Sequence, residues 1–222
     1  MGRIFLLAIL FALFLAHHAE PNALELAGTP FSGATVIDEM NLARQHPQQY
    51  AVYLEELRGR FHGDMLALSA HTRLRTREGV RAVEEAIRFL RRARPLTPLV
   101  SSPGISMAAA EHVADQASGS YGHAGSDQSN AAERMNRYGT WSTLWGENIS
   151  YGKSTARDVV IALIIDDGLR GRKHRKNIFN PTFNYAGAAA GSHARYGTVC
   201  SIDFAGGYIE RGETSSRLLA GN

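Results

Sequence analysis

Apolar positions along this chain recur at helical spacing through most of its length and turn to alternation only toward the C-terminal end. Thr35 to Leu57 carries Val36, Met40, Ala43, Ala51, Leu54 and Leu57 in a helical pattern. Pro47 interrupts it, and proline disfavours the α region for the residue before it, so two helices meeting at His46-Pro47 are expected. Gly59 to Arg77 has no clear period and reads mostly as loop. Gly79 to Ala93 places Val80, Val83, Ile87 and Leu90 on one stripe, an amphipathic helix ended before Pro95. Ser102-Pro103 reads as an N-cap with proline at the first helical position, opening a helix that runs to Gln116 and stops at Gly119.

Gly122 to Gly146 is polar and irregular, apart from a helical patch near Ala131 to Tyr138. Thr155 to Asp158 resembles a capping box and launches Val159 to Ile165, an unbroken apolar run expected to be buried on all sides. From Ala186 onward, Gly- and Ala-rich alternation predicts two strands joined as a hairpin around Gly191 to Arg195. Cys200 falls in the second strand and reads as a small buried hydrophobe. Thr214 to Asn222 reads as a frayed tail. No repeat or long linker appears, so one domain is expected, over residues 35–206, with a tail over 207–222.

The N-terminus carries a different signal. Arg3 precedes Ile4 to Ala16, a continuous apolar run of 13 residues followed by small residues. As a helix it spans about 20 Å, short of a bilayer core of roughly 30 Å. This is the pattern of a secretory signal peptide, placed at 1–19, and it predicts an exported protein without a transmembrane anchor once the segment is removed. The single Cys excludes an intramolecular disulfide framework and any thiolate-rich metal site. A formal net charge of +3 is too small to point to a nucleic-acid partner.

Candidate chemistry lies in glycine-bounded segments. HExxH, GxSxG, Walker A and a GxGxxG set between strand and helix are all missing. What remains is His123, Glu147, Asp166 with Asp167, and His174. Two imidazoles and two carboxylates suit a divalent metal such as zinc; they equally suit a general base with its orienting acid. His112, on the apolar side of its helix, reads as a core histidine bonded to backbone, and His193 as a solvated turn residue. Asn148 reads as a backbone-bonding residue that holds the Glu147 loop, while Trp141 and Trp145 either line a cavity mouth or cover a core. The run Arg170 to Lys176 is the densest positive patch and reads as a solvated loop whose cations keep His174 neutral.

Taken in order, three blocks resemble the CAP superfamily of cysteine-rich secretory, antigen 5 and pathogenesis-related 1 proteins, the SCP domain, in its bacterial-type branch without disulfides. They are His123-Ala124-Gly125, Gly146-Glu147-Asn148-Ile149-Ser150-Tyr151-Gly152, and His174-Arg175-Lys176-Asn177-Ile178-Phe179-Asn180-Pro181. Asn41 to Pro47 and Met107 to Asp115 resemble the family's first two helices, so the likeness runs over Thr35 to Phe204. The resemblance implies an α+β fold, a three-layer α-β-α sandwich around a central antiparallel sheet. It also implies a cavity of His123, Glu147, Asp166 and His174, with His123 and His174 as metal ligands and zinc the first choice of divalent cation. Asp166 takes the second acid because Leu163 stands at the family's usual tryptophan; Asp167 is the alternate.

The function the resemblance implies is extracellular binding or interaction, with an unidentified small ligand, lipid or cell-surface component as partner, and no nucleic acid. Two alternatives accompany it: a metal-dependent hydrolase with Glu147 as general base, and a sterol or lipid carrier.

Overall fold

The structure is a computed structural model that describes residues 31–212. The apolar run Ile4 to Ala16, with its expected export signal, and the expected tail from Thr214 lie outside the described residues.

Helix α1 (Gly33–Gln45) opens under Ser32, whose Oγ accepts from Thr35 N, and α2 (Pro47–Arg58) begins at the proline; His46 between them is the expected break. Gly59 to Arg77 is not loop. It folds into three short antiparallel strands, β1 (Phe61–His62), β2 (Met65–Ala67) and β3 (Arg73–Arg75). The strands hold two or three residues each, too few for alternation to register in the sequence.

Helix α3 (Val80–Arg92) follows, then β4 (Val100–Ser101), α4 (Pro103–Gln116) under the Ser102 cap, and α5 (Ala131–Met135) under an Asn130/Glu133 capping box. Strand β5 (Gly139–Tyr151) was not expected, since Thr143 takes a positive φ and the pairing register shifts between Ser142 and Trp145. Helix α6 (Ala156–Ile165) starts at the predicted Thr155 cap, and Ile161 and Ala162 stay half-buried, so its apolar run is not enclosed on all sides. A short α7 (Lys173–Ile178) and the hairpin of β6 (Tyr185–His193) and β7 (Gly197–Glu210) complete the chain. The last strand passes residue 206, because Glu210 is tied to the head of α4 by bonds from Ser102 Oγ (2.6 Å) and Gly104 N (3.0 Å).

The main sheet runs β4-β6-β7-β5, antiparallel except for the short parallel pairing of β4 with β6. Its two faces bury different helices. Ala186, Ala188, Ala190, Cys200, Ile202 and Phe204 join α1, α2, α3 and α6 in the larger core, whereas Ala205 and Tyr208 pack against Ile105, Ala108 and Met135. The result is the expected α-β-α sandwich. Strand β6 is made almost wholly of Gly and Ala so that helices approach it from both sides: a methyl group on Gly33 of α1 would strike the backbone of Ala188, and one on Gly187 the backbone at Ile105 and Ser106 of α4. Cys200 is buried and its thiol is pushed up to about 12 by that burial, an inert core residue as read from the sequence.

Arg44 fastens the layers. Its buried guanidinium donates to the carbonyls of Thr97 (3.0 Å), Ile178 (2.6 Å), Asn180 (3.1 Å) and Phe183 (3.3 Å), so one α1 side chain holds the chain before β4 and the α7–β6 connection. Burial lowers its pKa to about 10, which leaves it charged at neutral pH.

Candidate functional site

Strand β5 carries Glu147 into the α4–α5 side of the sheet, where Arg134, His123 and Ser201 bond its carboxylate and Asp203 of β7 stands opposite it. Arg134 of α5 is buried and donates through Nη2 to Glu147 Oε1, and through Nη1 to the carbonyls of Ser129 (2.7 Å) and His123 (3.3 Å). His123 donates from Nδ1 to Glu147 Oε2 at 2.5 Å. Ser201 Oγ of β7 adds a longer bond of 3.4 Å to Oε1, and His112 Nε2 lies 3.8 Å from the same oxygen. Glu147 is thus a strand residue rather than a loop residue, held by a buried guanidinium and holding an imidazole whose side chain is 62% exposed. The hydrogen bond to Glu147 raises the pKa of His123, and the negative charge adds to it, against the opposing effects of burial and Arg134.

The segment bearing His123 is clamped from below. Tyr151 OH donates to Gln116 Oε1 (2.7 Å) and accepts from Gly122 N (3.0 Å), while Gln116 Nε2 donates to Gly122 O (2.6 Å). His112 Nε2 lies 2.9 Å from the same carbonyl, the backbone-bonded core histidine the sequence predicted, and burial lowers its pKa. A pair of buried residues on α4 and one on β5 therefore set where His123 stands.

The second pair sits at the corner between α6 and α7. Asp166 caps α6 in the left-handed conformation (φ 55°), and Arg172, also left-handed (φ 49°), donates from Nη1 to the Asp166 carbonyl at 2.7 Å. This tight corner lets one carboxylate meet both the backbone N (3.0 Å) and the ring Nδ1 (2.7 Å) of His174. Asp167 turns away and accepts from Arg77 N (2.7 Å) and Glu78 N (2.8 Å), so Asp166 is the partner of His174. Asn148 and Asn177 join the two halves: Asn148 Nδ2 donates to the His174 carbonyl (3.1 Å), and Asn177 Nδ2 to Asn148 Oδ1 (2.8 Å) and to the Glu147 carbonyl (3.3 Å).

The four expected residues are met as two imidazole–carboxylate pairs, His123 with Glu147 and His174 with Asp166. In each pair Nδ1 faces a carboxylate, so Nε2 is the ring nitrogen left outside the pair; the His123 side chain is 62% exposed and that of His174 20%. The carboxylates themselves are committed, Glu147 to Arg134 and Asp166 to two bonds from His174. Among the described residues no group of three or more His, Cys, Asp or Glu is arranged to hold a metal ion. Zinc takes three or four protein ligands, and the guanidinium against Glu147 opposes a second cation there, so this donor set does not fit a closed zinc centre.

Other residues depart from their sequence readings. His193 is buried, not solvated: Nε2 bonds the Ser120 carbonyl (2.8 Å), Nδ1 accepts from Arg195 N (3.1 Å) and Tyr196 N (3.2 Å), and its ring packs edge-on to Tyr151. The basic run is only partly solvated, since Arg172 pairs with Glu78 and Glu85, and buried Arg175 pairs with Glu85 and lies over the Phe89 ring. Trp141 packs on the smaller core and meets Trp145 edge to face, and Trp145 is exposed. Arg134 and Asp203, which complete the surroundings of Glu147, carry no signal in the sequence, because the residue they meet is distant in the chain.

Among curated proteins no relative matches this chain. Similar solved structures include an extracellular SCP-domain protein from Bacillus anthracis (20% identity, TM-score 0.41, covering 55% of this chain and 38% of that one). An outer surface protein from Borrelia burgdorferi matches at 17% identity and TM-score 0.41 over 50% of this chain and 78% of that one. A cysteine-rich secretory protein from Staphylococcus aureus matches at 14% identity and TM-score 0.37, over 58% of this chain and 38% of its own length. The chain therefore spans well under half of the first and third. A family model described as CAP, the cysteine-rich secretory protein family, matches residues 68–204, which is more than half of the chain and includes all three motif blocks. The chain belongs to the CAP family.

Proposed function

We propose that this CAP domain is exported and works as a binding module, with the Nε2 atoms of His123 and His174 as its recognition groups. Export rests on the Ile4 to Ala16 segment in the sequence; among the described residues no helix is long and apolar enough to cross a membrane. The observation that carries the reading is the His123 assembly: an exposed imidazole oriented by a buried carboxylate that is itself anchored by a buried arginine. Such a group is built to meet a polar atom of a partner, as hydrogen-bond acceptor when neutral and as cationic donor when protonated. The partner class is a small ligand, a lipid or a cell-surface component.

Binding is favoured over metal-dependent hydrolysis because Glu147, the general base that reading needs, is bonded on one oxygen by Arg134 and on the other by His123. A Zn²⁺ titration followed on the ring ¹⁵N resonances tests the arrangement. Two separate, weak transitions for His123 and His174 are expected from two pairs; one joint, tight transition would establish a shared metal site instead. Assay on peptide, ester and glycan panels with Zn²⁺ completes the test. Turnover that disappears in the His123→Ala, His174→Ala double variant would replace the binding reading with a hydrolase.

A further inference from the structure

The small net charge conceals a strong separation. Residues 58–94 and 170–176 hold 15 of the 24 Lys and Arg against four Asp and Glu, whereas the other described residues hold seven against fourteen. The two basic segments are adjoining in space: Arg172 reaches Glu78 just before α3 and Glu85 on it, and Phe179 meets Phe89 edge to face at 5.0 Å. Those contacts neutralise Glu78 and Glu85; Arg75 is paired with exposed Asp64 at 3.3 Å, whereas exposed Arg73, Arg81, Arg88 and Arg92 are in no ion pair among the described residues.

The three-stranded sheet adds an apolar component. Met65, Arg75 and His62 share one cross-strand row and Ala67 and Arg73 the next, so one face of this sheet is a mixture of cations and small apolar groups. Just past β2, Leu68 is 48% exposed, and Leu74, on the opposite face of edge strand β3 from Arg73 and Arg75 and in the row of buried Leu66, is still 42% exposed. A soluble polyanion needs only the cations. Leucines standing in water among arginines fit the boundary between lipid headgroups and acyl chains, where apolar tips sink in while guanidinium groups bind phosphate with paired hydrogen bonds.

We propose that β2, β3 and the exposed stripe of α3 form a docking surface for an anionic phospholipid bilayer. Arg73, Arg75, Arg81, Arg88 and Arg92 supply the attraction, and Leu68 and Leu74 enter the interface. The surface lies apart from His123 and Glu147, so it sets where the protein resides and not what those residues recognise.

Vesicle flotation tests this with the full chain, using phosphatidylcholine alone as the baseline, so that the apolar N-terminal run contributes equally to both arms. Vesicles with about one-third phosphatidylglycerol should bind at least about tenfold more protein, and high salt should remove the difference. Arg73→Glu with Arg75→Glu should lower binding to anionic vesicles by about tenfold or more. Leu68→Ser with Leu74→Ser should lower it severalfold yet leave retention on soluble polyphosphate unchanged. All four positions are exposed, and an unaltered melting curve confirms folding. Equal binding to neutral and anionic vesicles, or an arginine variant that binds like wild type, overturns the proposal. Leucine variants that bind vesicles normally while polyphosphate is held as tightly would make the partner a polyanion, and that also overturns it.

Discussion

Glu147 and Asp203 stand directly opposite each other on the neighbouring antiparallel strands β5 and β7, and both are buried. One guanidinium serves the pair, and it is bonded to Glu147, while both oxygens of Asp203 lack a partner. Two adjacent carboxylates cannot both ionise cheaply out of water. Burial, with the charge of Glu147 added to it, raises the pKa of Asp203 well above its ordinary value near 3.8, so the fold favours its protonated form. The folded chain then keeps a proton that the unfolded chain releases above that value. Stability accordingly falls as pH climbs from about 3.8 toward the raised folded value. Asp203→Asn keeps the shape without the titrating proton. Urea midpoints measured across that range should show a falling limb in the wild type and a flatter one in the variant, with the variant at least as stable at neutral pH. Parallel profiles would mean that Asp203 is ionised in the fold.

His123 has the opposite linkage. Its folded pKa is raised above 6.5 chiefly by the hydrogen bond to Glu147. Stability from this pair is therefore fully present below 6.5 and is lost as pH rises through the folded value. Because the ring is largely exposed, the contribution is under about 1 kcal/mol. His123→Asn should thus lower the melting temperature more at pH 5.5 than at pH 8.5. In the wild type, the ring resonances of His123 should titrate above those of a model histidine peptide. A loss of the same size at both pH values would show that Glu147 does not favour the imidazolium.

The residues that announced themselves in the sequence are those whose neighbours in the chain are also their partners in space. Ser32 was not needed to see α1, but Pro47 after His46, Ser102 before Pro103 and Thr155 before Asp158 mark helix starts through bonds made within three or four residues. The motif blocks were legible for the same reason, and each supplied one half of a pair. What stayed hidden depends on distant contacts. Nothing near Arg134 says that its guanidinium meets Glu147, thirteen residues on, at the centre of the site. His193 reads as a turn residue until Ser120 is brought beside it. Strand β5 is masked by its own irregularity at Thr143, and α7 is a six-residue helix that exists because Arg175 is fixed between Glu85 and the Ile164 carbonyl.

A sensitive position outside the pairs should be Gly187. It lies near the start of β6, where α4 packs so closely that an added methyl group meets the backbone of Ile105 and Ser106 rather than a side chain able to turn aside. Helix α4 must therefore lift away from the sheet, and overpacking of this kind costs about 1–3 kcal/mol. Gly187→Ala should lower the melting temperature by several degrees, while Ser192→Ala, at an exposed position of the same strand, should stay within about 0.5 kcal/mol of the wild type. The consequence extends to the site. Helix α4 bears His112 and Gln116, which hold the Gly122 carbonyl and so fix the residue next to it, His123. A lifted α4 should loosen the bond between His123 and Glu147, and the ring resonances of His123 in Gly187→Ala should move toward those of an unpaired histidine. If the protein is destabilised but those resonances do not move, the Gly122 clamp is not what positions His123, and Arg134 acting through the His123 carbonyl suffices.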